Sequence, residues 1–244
     1  MNYTDILFIL LFACVCVLCR FLRPWPSVRE WTLIAVSLAF VASWGSFSLA
    51  LLLAIAAANF AAVALASRLA RPHRRVLVGT AILFDVAALA LFKYADFAIL
   101  SLEDVTGARL RVPALGLPLG ISFYTFHLIS YLVDWQRQGG RPLSLRRYLF
   151  YLTFFPHAIA GPIVRIWQLP SQLGRDRRLR GDLMFGIHYF VVGFFLKAVV
   201  SNNLAEATDP FWVKDPGFTF SAADHWIVAF LYYCQIYGDF AGSP

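Results

Sequence analysis

The stretch FFPHAIAGPIVR, Phe154 to Arg165, interrupts an apolar run with two prolines and a glycine. Proline lacks the backbone N–H that a helix interior needs, so the stretch cannot form a plain spanning helix. Non-helical backbone at membrane depth is tolerated only where it is buried in protein or lines a wet cavity. The pattern therefore predicts a re-entrant hairpin, Tyr148 to Val164, with other spans packed around it.

The composition around this stretch is that of a membrane protein. The chain has 244 residues, of which 60% are hydrophobic and 14% charged, and its mean hydropathy is +0.67. Soluble domains carry roughly a quarter charged residues. The net charge of +7 lies in short clusters between apolar runs, as in the cytoplasmic loops of membrane proteins. This distribution argues against nucleic acid as a partner.

Apolar runs predict an all-α polytopic protein with about seven spans and the one re-entrant hairpin. A span needs about 20 mostly apolar residues. The expected spans are Tyr3 to Phe21, Trp31 to Trp44, Phe47 to Ala66, Val76 to Phe97, Leu117 to Trp135, Leu183 to Ala205 and Ala222 to Phe240. SWGSF (Ser43 to Phe47) and RLARPHRR (Arg68 to Arg75) are expected breaks. Ser101 to Pro113 and Glu206 to Asp215 are expected loops.

Loop charges predict the orientation of these spans. Basic residues cluster in cytoplasmic loops, and alternate connections are rich in arginine. Both flanks of Tyr148 to Val164 are basic, so this segment enters and leaves on the cytoplasmic side. The amino terminus is then outside. The alternative for the segment is a proline-kinked amphipathic helix that lies on the membrane surface.

Ionisable residues inside spans are expensive and mark partners or cavities. Asp85 is expected to be hydrogen-bonded to a neighbouring span. Lys197 is expected either to pair with Asp239 or Asp134, or to line a cavity for an anionic group. His127 lies on an aromatic helix and is expected to be a packing histidine.

The sequence contains no complete catalytic constellation. His157 has the side chain of a general base, but no triad spacing, HExxH, GxGxxG, P-loop or metal cluster accompanies it. Cys14, Cys16 and Cys19 match no zinc pattern and are expected to be apolar fillers. Lipid attachment to one of these cysteines is the alternative.

Four ordered motifs resemble one family. They are LPLGISFYTFHLISYLVDWQR (Leu117 to Arg137), YLTFFPHAIAGPIVR (Tyr151 to Arg165), GFFLKAVVSNNLA (Gly193 to Ala205) and YYCQIYGDFAG (Tyr232 to Gly242). Together they resemble the membrane-bound O-acyltransferases, in particular the bacterial alginate O-acetyltransferase and D-alanyl transfer branch. The resemblance covers essentially the whole chain.

The resemblance implies transfer of an acyl group, in this branch acetyl, from a thioester donor to a hydroxyl. The donor would be acetyl-CoA or an acyl carrier protein, entering from the cytoplasmic side as a co-substrate, with no bound cofactor. The acceptor would be an extracytoplasmic polysaccharide such as alginate. The expected partners are the lipid bilayer, the donor and an extracytoplasmic polysaccharide-modifying protein.

The family's catalytic histidine lies in a later segment, so the resemblance assigns no catalytic residue here. Residues 1–244 are expected to form a single transmembrane domain, the amino-terminal part of a longer acyltransferase domain, and to be inactive alone. The expected substrate-tunnel lining is Pro156, His157, Gly161, Pro162, Arg165, Lys197, Tyr237, Asp239 and Gly242. The alternatives are a non-catalytic transporter or scaffold and a truncated inactive remnant.

Overall fold

The computed structural model describes residues 6–107, 116–138, 142–157, 165, 179–212 and 221–242. Every regular element in these ranges is helical, which confirms the all-α class. In chain order the helices are α1 (Ile6–Phe21), α2 (Pro26–Ala42), α3 (Ser46–Ala66), α4 (Arg71–Thr106), α5 (Ile121–Gln138), α6 (Leu145–Thr153), α7 (Leu179–Phe195), α8 (Asn202–Trp212) and α9 (Ala222–Ala241). A 3-10 turn (Phe155–His157) follows α6, and a π-helical segment (Leu196–Ser201) joins α7 to α8.

Among these residues, three segments are long and apolar enough to cross a membrane. They are Ser46–Ala66, Arg71–Thr106 and Met184–Phe211. Only 11% of the apolar part of Arg71–Thr106 and 6% of that of Met184–Phe211 is buried within the protein. Their apolar side chains therefore point outwards, where lipid stabilises them and water does not. α1 is apolar but has 16 residues, which extend about 24 Å.

Both expected breaks between the early spans are confirmed. Within SWGSF, Gly45 has a φ of 134°, a conformation that residues with a Cβ rarely adopt, and α3 begins at the next residue. The second break lies between α3 and α4. There Pro72 occupies the first turn of α4, where its missing N–H costs no helical hydrogen bond.

The expected loop Ser101 to Pro113 is wrong over its first six residues, because α4 continues to Thr106. Its 36 residues extend about 54 Å, well beyond the ~30 Å hydrocarbon core. The polar end of the helix can therefore lie outside the lipid, where its side chains are solvated. Gly107 stops the helix with a φ of 66°, and its N–H donates to the Glu103 carbonyl at 2.8 Å.

Two further boundaries differ from expectation. The expected span Leu117 to Trp135 is not helical before Ile121, because Gly120 has a φ of 67°, in the left-handed region. The N–H of Leu119 donates to the Ser48 hydroxyl at 3.3 Å. The expected loop Glu206 to Asp215 is helical as far as Trp212.

In that helical stretch, Thr208 is fully buried, and its hydroxyl donates to the Gln235 side chain on α9 at 2.8 Å. This contact holds a polar sequence against a neighbouring helix, which favours the helical conformation over a loop. The sequence between Glu206 and Asp215 contains no pattern that predicts this contact with α9.

The chain packs as two compact units. The α2–α6 unit holds the last turn of α1, α2 to α6 and the 3-10 turn. The α7–α9 unit holds the rest of α1 with α7, the π-helical segment, α8 and α9.

The core of the α2–α6 unit is aromatic. The Tyr148 hydroxyl donates to the Ala56 carbonyl at 2.8 Å, and its ring lies 5.1 Å from Tyr131 and 5.3 Å from Phe60. These contacts hold α6 inside the unit, where the side chains of Tyr148 and of Phe150 to Thr153 are buried. α6 is therefore part of the protein core of this unit.

A buried polar pair links α3 to α4. Asn59 and Asp85 are 1% and 0% exposed, and the Asn59 amide donates to the Asp85 carboxyl at 2.7 Å. The expected hydrogen bond from Asp85 to a neighbouring span is confirmed. Asn59 also donates to the Ile55 carbonyl at 3.1 Å, so its amide is held in place from both sides.

The variant Asn59→Ala removes the donor and leaves the buried Asp85 carboxyl unpaired. The expected result is a loss of roughly 1–2 kcal/mol of stability, measured as a lower thermal unfolding midpoint in detergent. The matched control is Asn203→Ala, since Asn203 is exposed and its amide donates to the Val199 carbonyl, four residues earlier. Equal midpoints for the two variants would contradict the role of the pair.

Candidate functional site

The α7–α9 unit brings two of the expected tunnel residues into direct contact. Lys197, in the π-helical segment, forms an ion pair with the Asp239 carboxylate of α9. Of the two partners expected for Lys197, Asp239 is therefore the one found. The side chains are 30% and 33% exposed, so the pair remains reachable from outside the unit.

Ser201 completes this polar cluster. Its hydroxyl lies 2.6 Å from the Asp239 carboxylate and 2.8 Å from the Gln235 carbonyl, and the residue is 1% exposed. A hydroxyl has one proton, so it donates to one of these oxygens at a time. The Lys197 ammonium and the Ser201 hydroxyl thus meet at the same carboxylate oxygen, Oδ1 of Asp239.

Helix periodicity places these groups together. Lys197 and Ser201 lie four residues apart, as do Gln235 and Asp239, so each pair shares one face of its helix. The π-helical segment widens the helix at this point, a feature that is frequent at functional sites. Ser201 and Gln235 were not predicted as site residues, although the four-residue spacing in GFFLKAVVSNNLA and YYCQIYGDFAG was visible in the sequence.

Glycines allow the backbones behind the cluster to meet. A Cβ on Gly242 would lie 2.6 Å from the Gly193 carbonyl oxygen and 2.9 Å from the Lys197 amide nitrogen. Real Cβ atoms do not approach backbone atoms so closely. Gly242 is therefore required by close approach, and it fixes the distance between α9 and the helix that carries Lys197.

The other expected tunnel residues are placed as follows. Tyr237 is 64% exposed on α9. Pro156 is buried in the 3-10 turn of the α2–α6 unit, and Arg165 is exposed. The His157 side chain, Gly161 and Pro162 lie outside the described residues.

Phe155, the residue before Pro156, contacts two residues of α2. The N–H of Phe155 donates to the Ser37 hydroxyl at 3.1 Å, and the Phe155 ring lies 6.0 Å from that of Phe40. Helix α6 ends at Thr153, just before this turn. The regular helix thus ends before the first proline of this stretch.

His127 has the surroundings of a packing residue. It is 3% exposed, and its ring meets that of Tyr151 edge to face at 5.5 Å. It lines a cavity of about 10 Å³, which has room for roughly one water molecule. A substrate does not fit there. Over the described residues, no group of three His, Cys, Asp or Glu side chains could hold a metal ion.

Sequence comparison identifies relatives of the chain, which the geometry of the site does not. The chain is 30% identical over 253 aligned residues to the probable alginate O-acetylase AlgI of Azotobacter vinelandii, which covers 99% of this chain and 49% of that protein. It is 33% identical over 177 residues to the probable alginate O-acetylase AlgI of Pseudomonas aeruginosa, an alignment that covers 70% of this chain and 33% of that protein. The peptidoglycan O-acetyltransferase of Helicobacter pylori is 28% identical over 247 residues, which cover 89% of this chain and 46% of that protein.

The chain is a homologue of the alginate O-acetylases. The resemblance noted in its motifs is thereby confirmed. The chain spans about half the length of its Azotobacter and Helicobacter relatives. No family model and no solved structure matches it. Together with the apolar helices, the relationship identifies an integral membrane protein related to the O-acetylases.

In this O-acetylase relative, Gly242→Ala tests the close approach of the two helices. The added Cβ collides with backbone atoms, so we expect a loss of roughly 1–3 kcal/mol of stability. Thermal unfolding in detergent measures it. Gly186→Ala is the control, because a Cβ there meets nothing within 4 Å and alanine is the better helix former. An unchanged midpoint for Gly242→Ala would show that the helices are not held at this distance.

Proposed function

We propose that the chain is the amino-terminal half of a membrane O-acetyltransferase that acts on an extracytoplasmic polysaccharide such as alginate. The observation that carries this proposal is the alignment of 99% of the chain with an alginate O-acetylase at 30% identity. The ordered motifs around Phe154 to Arg165 and Tyr232 to Gly242 support the same assignment.

The proposed reaction moves an acetyl group from a thioester, acetyl-CoA or an acetylated carrier protein, to a sugar hydroxyl. A general base takes the hydroxyl proton, the oxygen attacks the thioester carbonyl, and the C–S bond breaks. The products are an acetyl ester and the free thiol, which receives the proton. The base is proposed to be a histidine in the remaining half of the enzyme, beyond this chain.

The contribution of this chain is to shape the path of the donor. Lys197, Asp239 and Gly242 lie together, and the ion pair is partly exposed. We assign these residues, with Tyr237, to one wall of the tunnel. Pro156, His157, Gly161, Pro162 and Arg165 are proposed as a further wall, formed by the re-entrant hairpin.

The proposed topology has about seven spans, the amino terminus outside and the hairpin opening to the cytoplasm of the bacterial inner membrane. The break after α6 at Phe154 and the arginines on both flanks of Tyr148 to Val164 support this arrangement. It places the donor tunnel on the side where thioester donors are made.

Reporter fusions test the topology. Alkaline phosphatase is active only outside the inner membrane, and green fluorescent protein fluoresces when fused on the cytoplasmic side. We expect phosphatase activity after Gly45 and fluorescence after His73, Arg141 and Arg175. Fluorescence at one of Arg141 and Arg175 with phosphatase activity at the other would mean that Tyr148 to Val164 crosses the membrane. The proposed re-entrant hairpin would then be wrong.

A chimera tests the acetyl-transfer function. The chain replaces the aligned half of the Azotobacter protein in a strain that lacks its own alginate O-acetylase, and ester-bound acetate on secreted alginate is measured. We expect acetylation to be restored to at least about a tenth of the native level, because homologous halves preserve the tunnel. A chimera that inserts into the membrane at native amounts but gives no acetate would refute the proposal.

The double variant Lys197→Met/Asp239→Asn, made in the same chimera, tests the role of the ion pair. Removing both partners leaves no unpaired charge, so the amount of folded protein should stay near that of the parent. If the pair lines the tunnel, acetylation falls about tenfold or more at equal protein level. Asn203→Ala is the control. Unchanged acetylation in the double variant would remove Lys197 and Asp239 from the site.

A further inference from the structure

A second cavity lies in the α2–α6 unit, and none of its described lining residues is among those assigned to the tunnel. It has a volume of about 680 Å³ and lies between the start of α4 and the end of α5. Its described lining consists of Arg71, Arg74, Arg75, Val133, Gln136 and Arg137. Four guanidinium groups therefore converge on one space from helices that are some sixty residues apart in the sequence.

The described lining of this basic cavity contains no acidic side chain. Other arginines of the unit behave differently. Arg146, for example, forms a 2.6 Å ion pair with Glu30 and donates to the Ser27 hydroxyl. Four like charges in one space repel each other unless an anion neutralises them. A role limited to orienting the protein in the membrane requires only that arginines lie on one side, and it does not explain their convergence.

Local structure directs this positive charge into the cavity. The Arg74 guanidinium is held over the Trp135 ring, 5.4 Å from its centroid, which restricts its orientation. The amino terminus of α4 opens at Arg71, and no side chain caps it. Its unpaired N–H groups and helix dipole add to the attraction for an anion.

We infer that the basic cavity binds the phosphate group of an anionic membrane lipid. Guanidinium groups bind phosphate oxygens in pairs of parallel hydrogen bonds. Basic pockets at the cytoplasmic ends of spans are suited to lipid headgroups. On α5, Phe126 lies seven residues before Val133 and eleven before Arg137, on the same face of the helix, and it is 46% exposed. Acyl chains can contact this apolar side chain, so a lipid fits better than a soluble phosphate compound.

This inference is independent of the acetyl-transfer proposal and is tested by lipid binding alone. The purified chain is placed in nanodiscs of phosphatidylcholine with increasing phosphatidylglycerol, and bound lipid is counted by native mass spectrometry after release. We expect a preference for phosphatidylglycerol at one site. The apparent affinity of the variant Arg75→Gln/Arg137→Gln for phosphatidylglycerol should be about 30-fold lower than that of the parent chain. Each basic residue near an anionic surface contributes roughly fivefold to the binding constant.

The matched control is Arg20→Gln/Arg147→Gln, which removes the same net charge from exposed positions outside the cavity lining. It should bind phosphatidylglycerol like the parent chain. The variant Arg75→Lys/Arg137→Lys keeps both charges and should retain most of the preference for phosphatidylglycerol. That result would show that the loss in the glutamine variant comes from the missing charges and not from misfolding.

Three results would overturn the inference. One is an equal affinity of the parent chain for phosphatidylglycerol and phosphatidylcholine. Another is an equal loss in the control variant, which would mean that overall charge decides binding. The third is displacement of the lipid by coenzyme A or inorganic phosphate at micromolar concentration, which would assign the cavity to a soluble phosphate compound.

Discussion

Lipid offers no hydrogen-bond partner, so a polar side chain within an apolar helix must find its partner in the protein. This constraint accounts for the contacts on which both units depend. The Asn59 amide meets the Asp85 carboxyl and joins α3 to α4. Lys197 meets Asp239, and the Ser201 hydroxyl completes the cluster. Each contact joins two helices whose apolar surfaces alone would pack in many registers.

The polar cluster also depends on backbone geometry. Lys197 reaches Asp239 because α9 passes close to the π-helical segment, and the missing Cβ atoms of Gly193 and Gly242 permit this approach. The site thus combines a charge pair, a widened helix and a glycine contact.

Homology to the alginate O-acetylases gives the proposed function its context. The chain aligns with about half the length of its Azotobacter and Helicobacter relatives. In the proposed enzyme this half guides the thioester and the remaining half supplies the base. The lipid phosphate inferred for the basic cavity would hold the start of α4 and the end of α5 at the membrane surface.

Much of this protein was determined by its sequence alone. Apolar runs gave the helices, glycine and proline gave the breaks at Gly45 and Pro72, and four motifs gave the family. These properties depend on residues that are neighbours along the chain. Only the tertiary structure decided that Asp239 is the partner of Lys197, that Thr208 keeps its surroundings helical, and that four arginines share one cavity. Such contacts join residues that are distant in sequence, and helix periodicity specifies the face of a helix but not the helix that will cover it.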